Sequence, residues 1–589
     1  MQEVTRLFDF PYYQRDKYDL QKALVTKKNG KWEATSTQEY IRKANTISRG
    51  LLRMGVKPND KIAIISMTNR TEWNIMDIGA LQIGAQTVPI YPTISEEDYE
   101  YVLNHSEAMY CFVSCQDVLN KVLAISGKTK KLKDVFSFDQ LENCNHWSQV
   151  LEKGKDEANQ NEVEARKAAV QSEDLATLIY TSGTTGRPKG VMLTHNNIVS
   201  NVIASERRVP LRAESTALSF LPVCHIFERM ILYLYQYCGI QIYFAEGLDK
   251  ISDNAKEVNP QVMTVVPRLL EKVYDAIVGK GEELEGIKKK LFFWAVNLGL
   301  KFEPYGKNGW WYEKKLGIAR KLIFSKWKEA LGGEVEMLVS GSAALQQRLA
   351  RVFAAAEMPV MEGYGLTETS PVISVNEQAN AGWKIGSVGR VIDGVEVKIA
   401  DDGEILCKGP NVMKGYYKDP EKTAEVLKDG YFHTGDIGEI DADGILKITD
   451  RKKEMFKTSG GKYVAPQLLE NRFKQSRFIE QIMVVGEGEK MPAALIQPNF
   501  EFLHAWCEEN KITIGQNSDI VVNDKVLEKM QEEVDTANAE FAKWEKVKQF
   551  RLTPDVWSID DGHMTPTMKL RRKIIKEMYA DLYNDIYGR

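Results

Sequence analysis

The N-terminal part of the chain alternates short apolar runs with amphipathic stretches. Apolar runs at residues 61–66, 86–91 and 108–114 are bounded by polar or turn-forming residues, which is typical of buried strands. Residues 37–54, which precede these runs, place apolar side chains at the spacing of one helix face, and residues 73–83, between the first two runs, are also predicted to be a helix. Because strands and helices alternate, we predict a layered α/β domain whose strands are largely parallel.

The alternation continues in the following part of the chain. The longest apolar stretch, residues 230–245, is interrupted by Gln236 and Gln241. A membrane-spanning helix needs about 20 predominantly apolar residues, so we predict a buried helix that passes into a strand. Residues 385–449 are rich in Gly, Asp and short β-like runs, which indicates an antiparallel β subdomain. Further strands are predicted at residues 217–221, 241–244, 262–266 and 334–339.

Length and pattern together predict two domains. The chain has 589 residues, more than the roughly 250–300 at which a single hydrophobic core stops growing. A charged break begins at Asp450, and the residues beyond it carry strand and helix patterns of their own, at 481–485 and 526–547. We therefore predict an N-terminal domain at residues 1–449 and a C-terminal domain at residues 450–589.

Composition and charge exclude several classes of protein. The hydrophobic fraction is 43%, the charged fraction 27% and the net charge −4, which gives no reason to expect a nucleic-acid partner. Residues 1–13 lack the basic start and apolar core of a signal peptide. The seven cysteines are scattered, without zinc-site spacing. We expect a cytoplasmic protein with free thiols. Residues 280–330 raise the alternative of peripheral contact with the inner face of the membrane.

Residues 280–330 differ from the rest of this acidic protein. They carry 12 Lys and Arg residues against six Glu. Two interpretations stay open for this predicted helical insertion: its aromatic side chains fill a small core of its own, or they form a face for anionic lipid surfaces. The aromatic residues concerned are Phe292, Phe293, Trp294, Trp310, Trp311 and Trp327.

The stretch from Thr181 to Gly190 has the composition of a phosphate-binding loop. It lies between two apolar runs, and Pro188 disfavours a helix through its end, so we predict a hairpin rather than a helix-opening loop. A flexible surface loop is the alternative. Its backbone N–H groups, hydroxyls and one ammonium could face a phosphate chain. The candidate residues are Thr181, Ser182, Gly183, Thr184, Thr185, Gly186 and Lys189.

These ten residues resemble the phosphate-binding signature of the acyl-adenylate-forming enzymes, the AMP-dependent synthetase/ligase superfamily. The resemblance implies that the loop holds the β- and γ-phosphates of ATP. It also implies a Mg²⁺ ion at Thr184 and Glu368.

A second cluster runs from Gly363 to Thr369. Its glycines, Gly363 and Gly365, let the backbone approach a flat ligand, and Tyr364 could stack on adenine. Glu368 is a hard oxygen ligand suited to Mg²⁺. A plain turn is the alternative, but the cluster, Thr367 included, is similar to the adenine- and magnesium-binding motif of the same family.

Three further segments match motifs of the family. Asp436 follows a Gly in a segment that could be a simple turn, but with Arg451 it resembles the family's ribose-binding pair, and Asp450 falls at the family's hinge position. A lysine among other lysines and arginines is usually a solvated surface residue, and this is the alternative for Lys569. The resemblance implies that Lys569 bridges the substrate carboxylate and the α-phosphate. A basic loop with Ser459, Gly460 and Gly461 resembles the segment that lines the CoA channel.

Two lesser sites complete the resemblance. His225 is similar to the family histidine beside the acyl carboxylate, with a helix-capping or core histidine as the alternative. Gly341, Ser342 and Ala343 resemble the loop that packs on the adenine face. Some relatives have a tryptophan that acts as a gate four residues after the histidine that corresponds to His225. Here that position is Arg229, so the resemblance does not imply a gate in this chain.

The resemblance implies a fold and a reaction. The fold is α/β, with layered α/β subdomains and a β subdomain in the large N-terminal domain and a small, mobile α+β C-terminal domain. The reaction is ATP-dependent activation of a fatty acid to acyl-CoA through acyl-AMP, most like the bacterial long-chain acyl-CoA synthetases, with Mg²⁺, ATP and CoA. Delivery to a carrier protein, a medium-chain or aryl substrate, and a non-enzymatic lipid-binding scaffold are the alternatives. The oligomeric state is open, with a homodimer as one alternative.

Overall fold

The computed structural model describes residues 3–181, 187–209, 211–559, 561–565 and 568–589. Its first sheet has a parallel centre, and its two outermost pairings on one side are antiparallel. The two apolar runs beside the glycine-rich stretch form the predicted hairpin. In spatial order the described strands are Gly415–Tyr416, Lys189–Thr194, Leu175–Thr181, Gln86–Ile90, Lys61–Ile65, Ala108–Val113, Asp134–Ser137 and Asn145–His146.

The second sheet is parallel through its middle and ends in antiparallel strands at both edges. The predicted strands at 217–221, 241–244, 262–266 and 334–339 all belong to it; the strand 241–244 has the predicted bounds, and the bounds of the others differ by at most three residues. In spatial order the described strands are Arg390–Val391, Val372–Val375, Val360–Gly365, Met337–Ser340, Val262–Val265, Thr216–Ser219, Gln241–Phe244, Leu24–Lys28 and Lys31–Thr35.

Helices cover these sheets, and most predicted ones are confirmed. The helix Thr37–Arg53 begins at a Ser36 cap, whose Oγ accepts a hydrogen bond from Glu39 N at 3.1 Å. The helix Thr71–Leu81 begins two residues before the predicted start, because it is buried on every side and has no polar face to mark its ends. The other helices of the first sheet are Glu96–Ser106, Gln116–Ser126, Ser148–Lys153, Gln160–Ala169 and His195–Glu206.

The long apolar stretch also folds as predicted. The helix Ile226–Cys238 ends at Gly239, which has a φ of 72°, and the strand Gln241–Phe244 follows. None of the described helices combines the length and the apolar character that a membrane span requires. The remaining helices of the N-terminal part are Asp9–Lys17, Ile251–Val258, Pro267–Glu282, Gly286–Gly299, Trp310–Ala319, Ser325–Ala330, Gln347–Ala355 and Pro420–Val426.

The predicted antiparallel β subdomain is confirmed, and it leads into a separate C-terminal α+β domain. Its strands are Glu396–Ile399, Glu404–Lys408, Leu427–Lys428, Tyr431–Ile440 and Leu446–Arg451. In the C-terminal domain the strands are Phe456–Lys457, Tyr463–Val464, Ile479–Val485, Ala493–Pro498 and Phe550–Leu552, and the helices are Pro466–Phe473, Phe500–Glu509, Asn517–Ile520, Asp524–Asn538, Arg572–Met578 and Ala580–Tyr587.

The insertion does not have a small core of its own. Phe292 and Trp327 are buried, and Trp327 packs on Phe353 at a ring-centroid distance of 6.2 Å. Phe353 lies on the helix Gln347–Ala355, which covers the second sheet, so the insertion shares the core of that sheet. Trp310 and Trp311 take no part in this core and are exposed. The interpretation as a separate small core is therefore wrong, and Trp310 and Trp311 remain candidates for a face that contacts lipid.

Candidate active site

Two neighbouring strands of the β subdomain bring the predicted ribose-binding residues together. Asp436 and Arg451 face each other across the pair Tyr431–Ile440 and Leu446–Arg451. Arg451 Nε lies 3.3 Å from Asp436 Oδ1, and the Tyr364 hydroxyl donates to Asp436 Oδ2 at 2.8 Å. Burial raises the pKa of the Asp436 carboxyl, and the guanidinium of Arg451 opposes this shift. The carboxylate is held in one orientation, which suits an acceptor for sugar hydroxyls.

Tyr364 lies between two glycines at the end of the strand Val360–Gly365. A Cβ atom on Gly365 would approach the carbonyl oxygen of Pro371 to 1.7 Å, so only glycine fits there. A Cβ atom on Gly363 would make ordinary contacts only, so packing within the protein does not require this glycine. The hydroxyl of Tyr364 orients Asp436, a role that the sequence did not indicate. Stacking of the Tyr364 ring on adenine stays a prediction.

Glu368 lies in the turn Thr367–Thr369, directly after that strand. Its Oε1 accepts a hydrogen bond from the Tyr416 hydroxyl at 2.8 Å, and its backbone carbonyl accepts one from Met413 N at 2.8 Å. Thr367 is buried in the same turn. Among the described residues no donor reaches Glu368 Oε2, so one hard oxygen remains available to a cation.

The hairpin holds both ends of the glycine-rich stretch beside Glu368. Thr181 and Lys189 pair across its two strands. Lys189 Nζ lies 5.1 Å from the ring centroid of Tyr416, whose hydroxyl binds Glu368. Burial lowers the pKa of Lys189, and Glu368 is among the charges that act against this shift. Phosphate binding by the loop stays a prediction, since these candidates lie outside the described residues: Ser182, Gly183, Thr184, Thr185 and Gly186.

The oxygen donors near Glu368 determine whether the predicted site could hold Mg²⁺. Within the described ranges, no group of three or more His, Cys, Asp or Glu side chains could hold a metal ion by itself. Mg²⁺ in ATP sites is usually held by one or two carboxylates together with phosphate oxygens and waters. Glu368, with one oxygen oriented by Tyr416, fits this arrangement. The donor set therefore fits an ion that arrives with ATP.

Lys569 of the C-terminal domain lies near Asp436, Arg451 and Glu368, and we call the space among these four residues the cleft. Enclosure by protein atoms, together with the charge of Arg451, lowers the pKa of its ammonium to about 8. The carboxylates of Asp436, Glu454 and Glu368 oppose these effects. The residue is accessible to solvent, so the ammonium borders a cleft rather than a closed core. The structure thus brings the predicted catalytic lysine to the ribose pair and to Glu368.

His225 caps the helix Ile226–Cys238. Its Nδ1 accepts a hydrogen bond from Phe227 N at 3.2 Å, as the helix-capping interpretation expects. Burial, followed by the charge of Lys569, lowers the pKa of His225 to about 4. A neutral imidazole that accepts at Nδ1 carries its proton on Nε2. His225 can therefore cap the helix through Nδ1 and still offer Nε2–H as a hydrogen-bond donor to a substrate carboxylate near Lys569.

The loop of Gly341, Ser342 and Ala343 follows the strand Met337–Ser340. That strand pairs in parallel with the strand that leads to Tyr364, so both carboxyl ends meet at one edge of the sheet. A Cβ atom on Gly341 would lie 3.0 Å from the ring of Phe227. Ser342 and Ala343 are exposed. The structure places this loop beside Tyr364, and its contact with adenine stays a prediction.

The predicted CoA-binding residues do not join the cluster. Ser459, Gly460 and Gly461 form the exposed tip of the hairpin between Phe456–Lys457 and Tyr463–Val464. Ser459 N donates to the carbonyl of Glu489 at 2.8 Å, within the C-terminal domain. In this arrangement Lys569, rather than the glycine loop, faces the ribose pair.

Asp450, the predicted hinge, lies near charged groups of the C-terminal domain. It is buried at the end of the strand Leu446–Arg451, where its Oδ1 accepts a hydrogen bond from Arg451 N at 2.5 Å. Burial raises the pKa of Asp450 to about 7. Glu454 and Glu470, both in the C-terminal domain, raise this pKa, and Arg572 lowers it.

Two ion pairs fasten the C-terminal domain to the helix Pro267–Glu282, and the sequence gave no indication of them. Arg268 pairs with Glu480, and Arg477 Nη1 lies 2.6 Å from Glu282 Oε1. Charge patterning alone cannot match partners that lie about 200 residues apart in the chain. These pairs are present in the arrangement in which Lys569 lies at the cleft.

Arg229, at the position of the gate in some relatives, is part of a buried network. Its Nη2 donates to Asp77 Oδ1 at 2.6 Å and to Thr87 Oγ1 at 2.8 Å, and its Nη1 donates to Thr177 Oγ1 at 2.7 Å. Arg229 and Asp77 are both about 1% exposed. The side chain ties the helix Ile226–Cys238 to the first sheet, and these buried contacts restrict its movement.

Family models and solved structures match this architecture. The model of the AMP-binding enzyme family matches residues 14–417, and that of the AMP-binding enzyme C-terminal domain matches residues 454–589. Among solved structures, the chain resembles the A domain of carboxylic acid reductase from Segniliparus rugosus, with a TM-score of 0.76, 20% identity and coverage of 100% of this chain and 95% of that chain. The anthranilate CoA ligase AuaEII gives a TM-score of 0.73 at 18% identity, with 99% of each chain covered.

Curated relatives extend over nearly the whole chain. The long-chain-fatty-acid–CoA ligase FadD15 of Mycobacterium tuberculosis is 34% identical, with 95% of this chain and 93% of the relative covered. The human long-chain-fatty-acid–CoA ligase 1 is 32% identical, with 95% of this chain and 83% of the relative covered. Together with the two matched models and the assembled cleft, these similarities show that the chain belongs to the AMP-binding enzyme family, the acyl-adenylate-forming enzymes.

Proposed function

We propose that this protein is an AMP-forming long-chain fatty acid–CoA ligase. The observation that carries the proposal is the convergence of Lys569 with Asp436, Arg451 and Glu368 in one cleft. A cation among ribose- and metal-binding groups is what adenylation of a carboxylate needs. The relatives named long-chain-fatty-acid–CoA ligases support the substrate and the acceptor.

In the first half-reaction, an oxygen of the fatty carboxylate attacks the α-phosphorus of ATP. A new bond joins this oxygen to phosphorus, the bond from the α-phosphorus to the bridging oxygen breaks, and pyrophosphate leaves. Because both reactants are anions, catalysis depends on positioning and charge neutralisation. Lys569 steadies the reacting oxygens, Asp436 and Arg451 hold the ribose, and His225 Nε2–H is placed to orient the carboxylate.

Glu368, and Thr184 as predicted, would hold a Mg²⁺ ion. Bound there, the ion would neutralise charge on the phosphates of ATP. Thr181–Lys189 would retain the leaving pyrophosphate. Lys189, packed on Tyr416, places a cation at the base of this loop.

In the second half-reaction, the thiol of CoA attacks the acyl carbonyl and AMP leaves. We propose that the C-terminal domain, residues 450–589, turns about Asp450 for this step. Lys569 would leave the cleft, and Ser459, Gly460 and Gly461 would enter it to line the CoA channel. The model of the N-terminal family domain ends at residue 417 and that of the C-terminal domain begins at residue 454. Asp450 lies between these two limits, which supports a pivot there. No enzyme nucleophile is needed.

The hinge proposal has a direct test. Asp450→Pro fixes one backbone angle and removes a backbone N–H, so it should restrict rotation. We expect pyrophosphate release to continue while acyl-CoA formation stops. Thioester formation at the wild-type rate would count against rotation at Asp450.

The acyl acceptor and chain length are tested by one panel. ATP-dependent product formation should be measured by mass spectrometry with acids from acetate to arachidate and with aryl acids, each with free CoA. We expect acyl-CoA formation with long-chain acids at the highest kcat/KM. Release of acyl-AMP without acyl-CoA would favour the carrier-protein alternative, a preference for short or aryl acids would refute the long-chain assignment, and no pyrophosphate release would favour a non-enzymatic scaffold.

We further propose that the enzyme acts in the cytoplasm, with peripheral contact to an anionic membrane surface through residues 280–330. The excess of six positive charges in this insertion supports such a contact. Wild-type protein recovered only in the supernatant of cell extracts at low salt would contradict membrane contact.

A further inference from the structure

One face of the insertion carries large apolar side chains and lysines side by side. Along the helix Trp310–Ala319 and the wide turn Arg320–Phe324, exposed residues recur at spacings of three or four, which places them on one side. We call this the docking face. It consists of Trp310, Trp311, Lys314, Lys315, Ile318, Lys321 and Leu322, all of which are exposed.

The exposure of the two tryptophans is unusual for side chains of this size. Trp310 is 61% exposed and Trp311 is 72% exposed. Tryptophan is highly buried on average in folded proteins, and exposed apolar patches mark interaction sites. The two rings contact each other edge to face at a centroid distance of 4.5 Å. The face therefore offers a compact aromatic surface to a partner.

The docking face rests on a rigid support. Leu316, Ala319 and Phe324, on the opposite side of the same segment, are fully or almost fully buried. The Tyr312 hydroxyl donates to the carbonyl of Leu298 at 2.8 Å, which ties the segment to the preceding helix. Arg320 Nε donates to the carbonyl of Ala355 at 2.9 Å, on the second sheet's covering helix. The exposed side chains thus belong to a packed element.

Within the described residues, no acidic side chain forms an ion pair with the lysines of the docking face. Lys314, Lys315 and Lys321 form no ion pair with any described residue, and the same holds for Lys288 and Lys290 at the start of the neighbouring helix. Lys314 Nζ lies 5.5 Å from the ring centroid of Trp310. These ammonium groups are free to meet an external anion.

Aromatic side chains with unpaired lysines fit one partner best. Tryptophan concentrates at the headgroup level of bilayers, where its ring is partly apolar and its N–H is hydrated. Lysine side chains extend along apolar surface and keep their ammonium groups at the phosphates. Protein interfaces, in contrast, are depleted in lysine. We propose that the docking face binds the anionic surface of a lipid bilayer, with Trp310 and Trp311 inserted among the headgroups.

This inference rests on the proposed function, because a long-chain carboxylate partitions into bilayers. The experiment is cosedimentation of the full chain with vesicles of phosphatidylcholine alone or mixed with phosphatidylglycerol. We expect binding to the anionic vesicles that weakens as salt rises. The variant Trp311→Ser with Lys315→Gln should bind these vesicles at least about tenfold more weakly.

A matched control removes the same kinds of side chain elsewhere. Leu248 is 70% exposed, and Lys250 is exposed two residues later, so Leu248→Ser with Lys250→Gln also removes one apolar group and one charge. This variant should bind anionic vesicles as the wild type does. Equal loss in both variants, equal binding to neutral vesicles, or absence of wild-type binding would overturn the proposal.

A ligase assay keeps this proposal separate from the proposed function. Acyl-CoA formation from detergent-dispersed fatty acid should be unchanged in the Trp311→Ser, Lys315→Gln variant, since neither residue lies in the cleft. A wild-type protein that binds anionic vesicles without ligase activity would refute the proposed function and leave the docking face standing. Ligase activity without vesicle binding would refute the docking face alone.

Discussion

The hydroxyl of Tyr416 donates a hydrogen bond to Oε1 of Glu368 at 2.8 Å, and Lys189 lies over the same tyrosine ring. One side chain therefore links the cation at the base of the proposed phosphate loop to the carboxylate proposed for Mg²⁺. Tyr416 itself is buried in a two-residue edge strand that pairs with the hairpin. It is a positioning residue for Glu368.

Tyr416→Phe should weaken the apparent affinity for Mg²⁺ by about tenfold, because a hydrogen bond to a charged group is lost. The ring remains, so Lys189 keeps its contact. The measurement is Mn²⁺ binding by electron paramagnetic resonance in the presence of a non-hydrolysable ATP analogue. Tyr417→Phe is the neighbouring control. An unchanged Mn²⁺ affinity in Tyr416→Phe would refute the positioning role.

Lys569→Ala should slow adenylation by about a hundredfold or more, because a positioned cation opposite developing negative charge is removed. Pyrophosphate release measures this step. Attack of CoA on synthetic acyl-adenylate should continue near the wild-type rate, since Lys569 leaves the cleft for that step. Equal loss of both half-reactions would contradict the assignment.

The pKa of Lys569, lowered to about 8 mainly by the surrounding protein atoms of the cleft, predicts an alkaline limit to adenylation. Lysine is charged below its pKa, so kcat/KM for pyrophosphate release should fall as pH rises through about 8. In Lys569→Arg the side chain stays charged over this range. That variant should be slower at neutral pH and should lack the fall near pH 8. A fall at the same pH in both proteins would assign it to another group.

The ion pairs between domains should control how well Lys569 is placed. Glu480→Arg puts a like charge opposite Arg268, so we expect adenylation to slow several-fold while thioester formation from acyl-adenylate is spared. Restoring opposite charges with Arg268→Glu in the same chain should recover the rate. Failure of the double variant to recover would mean that the charges do not act as a pair.

Arg229→Met should destabilise the N-terminal domain by about 3–5 kcal/mol, because it leaves Asp77 buried without its cation. Unfolding in urea, followed by circular dichroism, measures the change. The double variant with Asp77→Asn should be more stable than Arg229→Met, since no uncompensated charge remains. A single variant as stable as the wild type would show that the network contributes nothing.

Local pattern was enough for much of the architecture. The hairpin around the glycine-rich stretch follows from two apolar runs and Pro188, and Asp436 and Arg451 lie fifteen residues apart, a distance that an antiparallel pair of strands brings together. The boundaries of Thr71–Leu81 were missed because a helix buried on all sides has no polar face to set its period.

Contacts between distant segments could not be predicted in this way. Tyr416 meets Glu368 through an edge strand of two residues, which is too short to leave a periodic signal. The partner of Arg229 lies 152 residues away in the chain. The helix Gln347–Ala355 determines which aromatic residues of the insertion are buried. This helix lies outside residues 280–330, so the pattern within those residues could not indicate the outcome.

The proposed pivot and the ribose contact are separated by a single peptide bond. Asp450 binds the backbone N–H of Arg451, whose guanidinium meets Asp436. A turn of the backbone at Asp450 cannot leave Arg451 where it was. If the proposed rotation occurs, it would impose an order on the catalytic cycle: the contact of Arg451 with Asp436 would change as the domain turns, and AMP would leave only after the rotation that admits CoA.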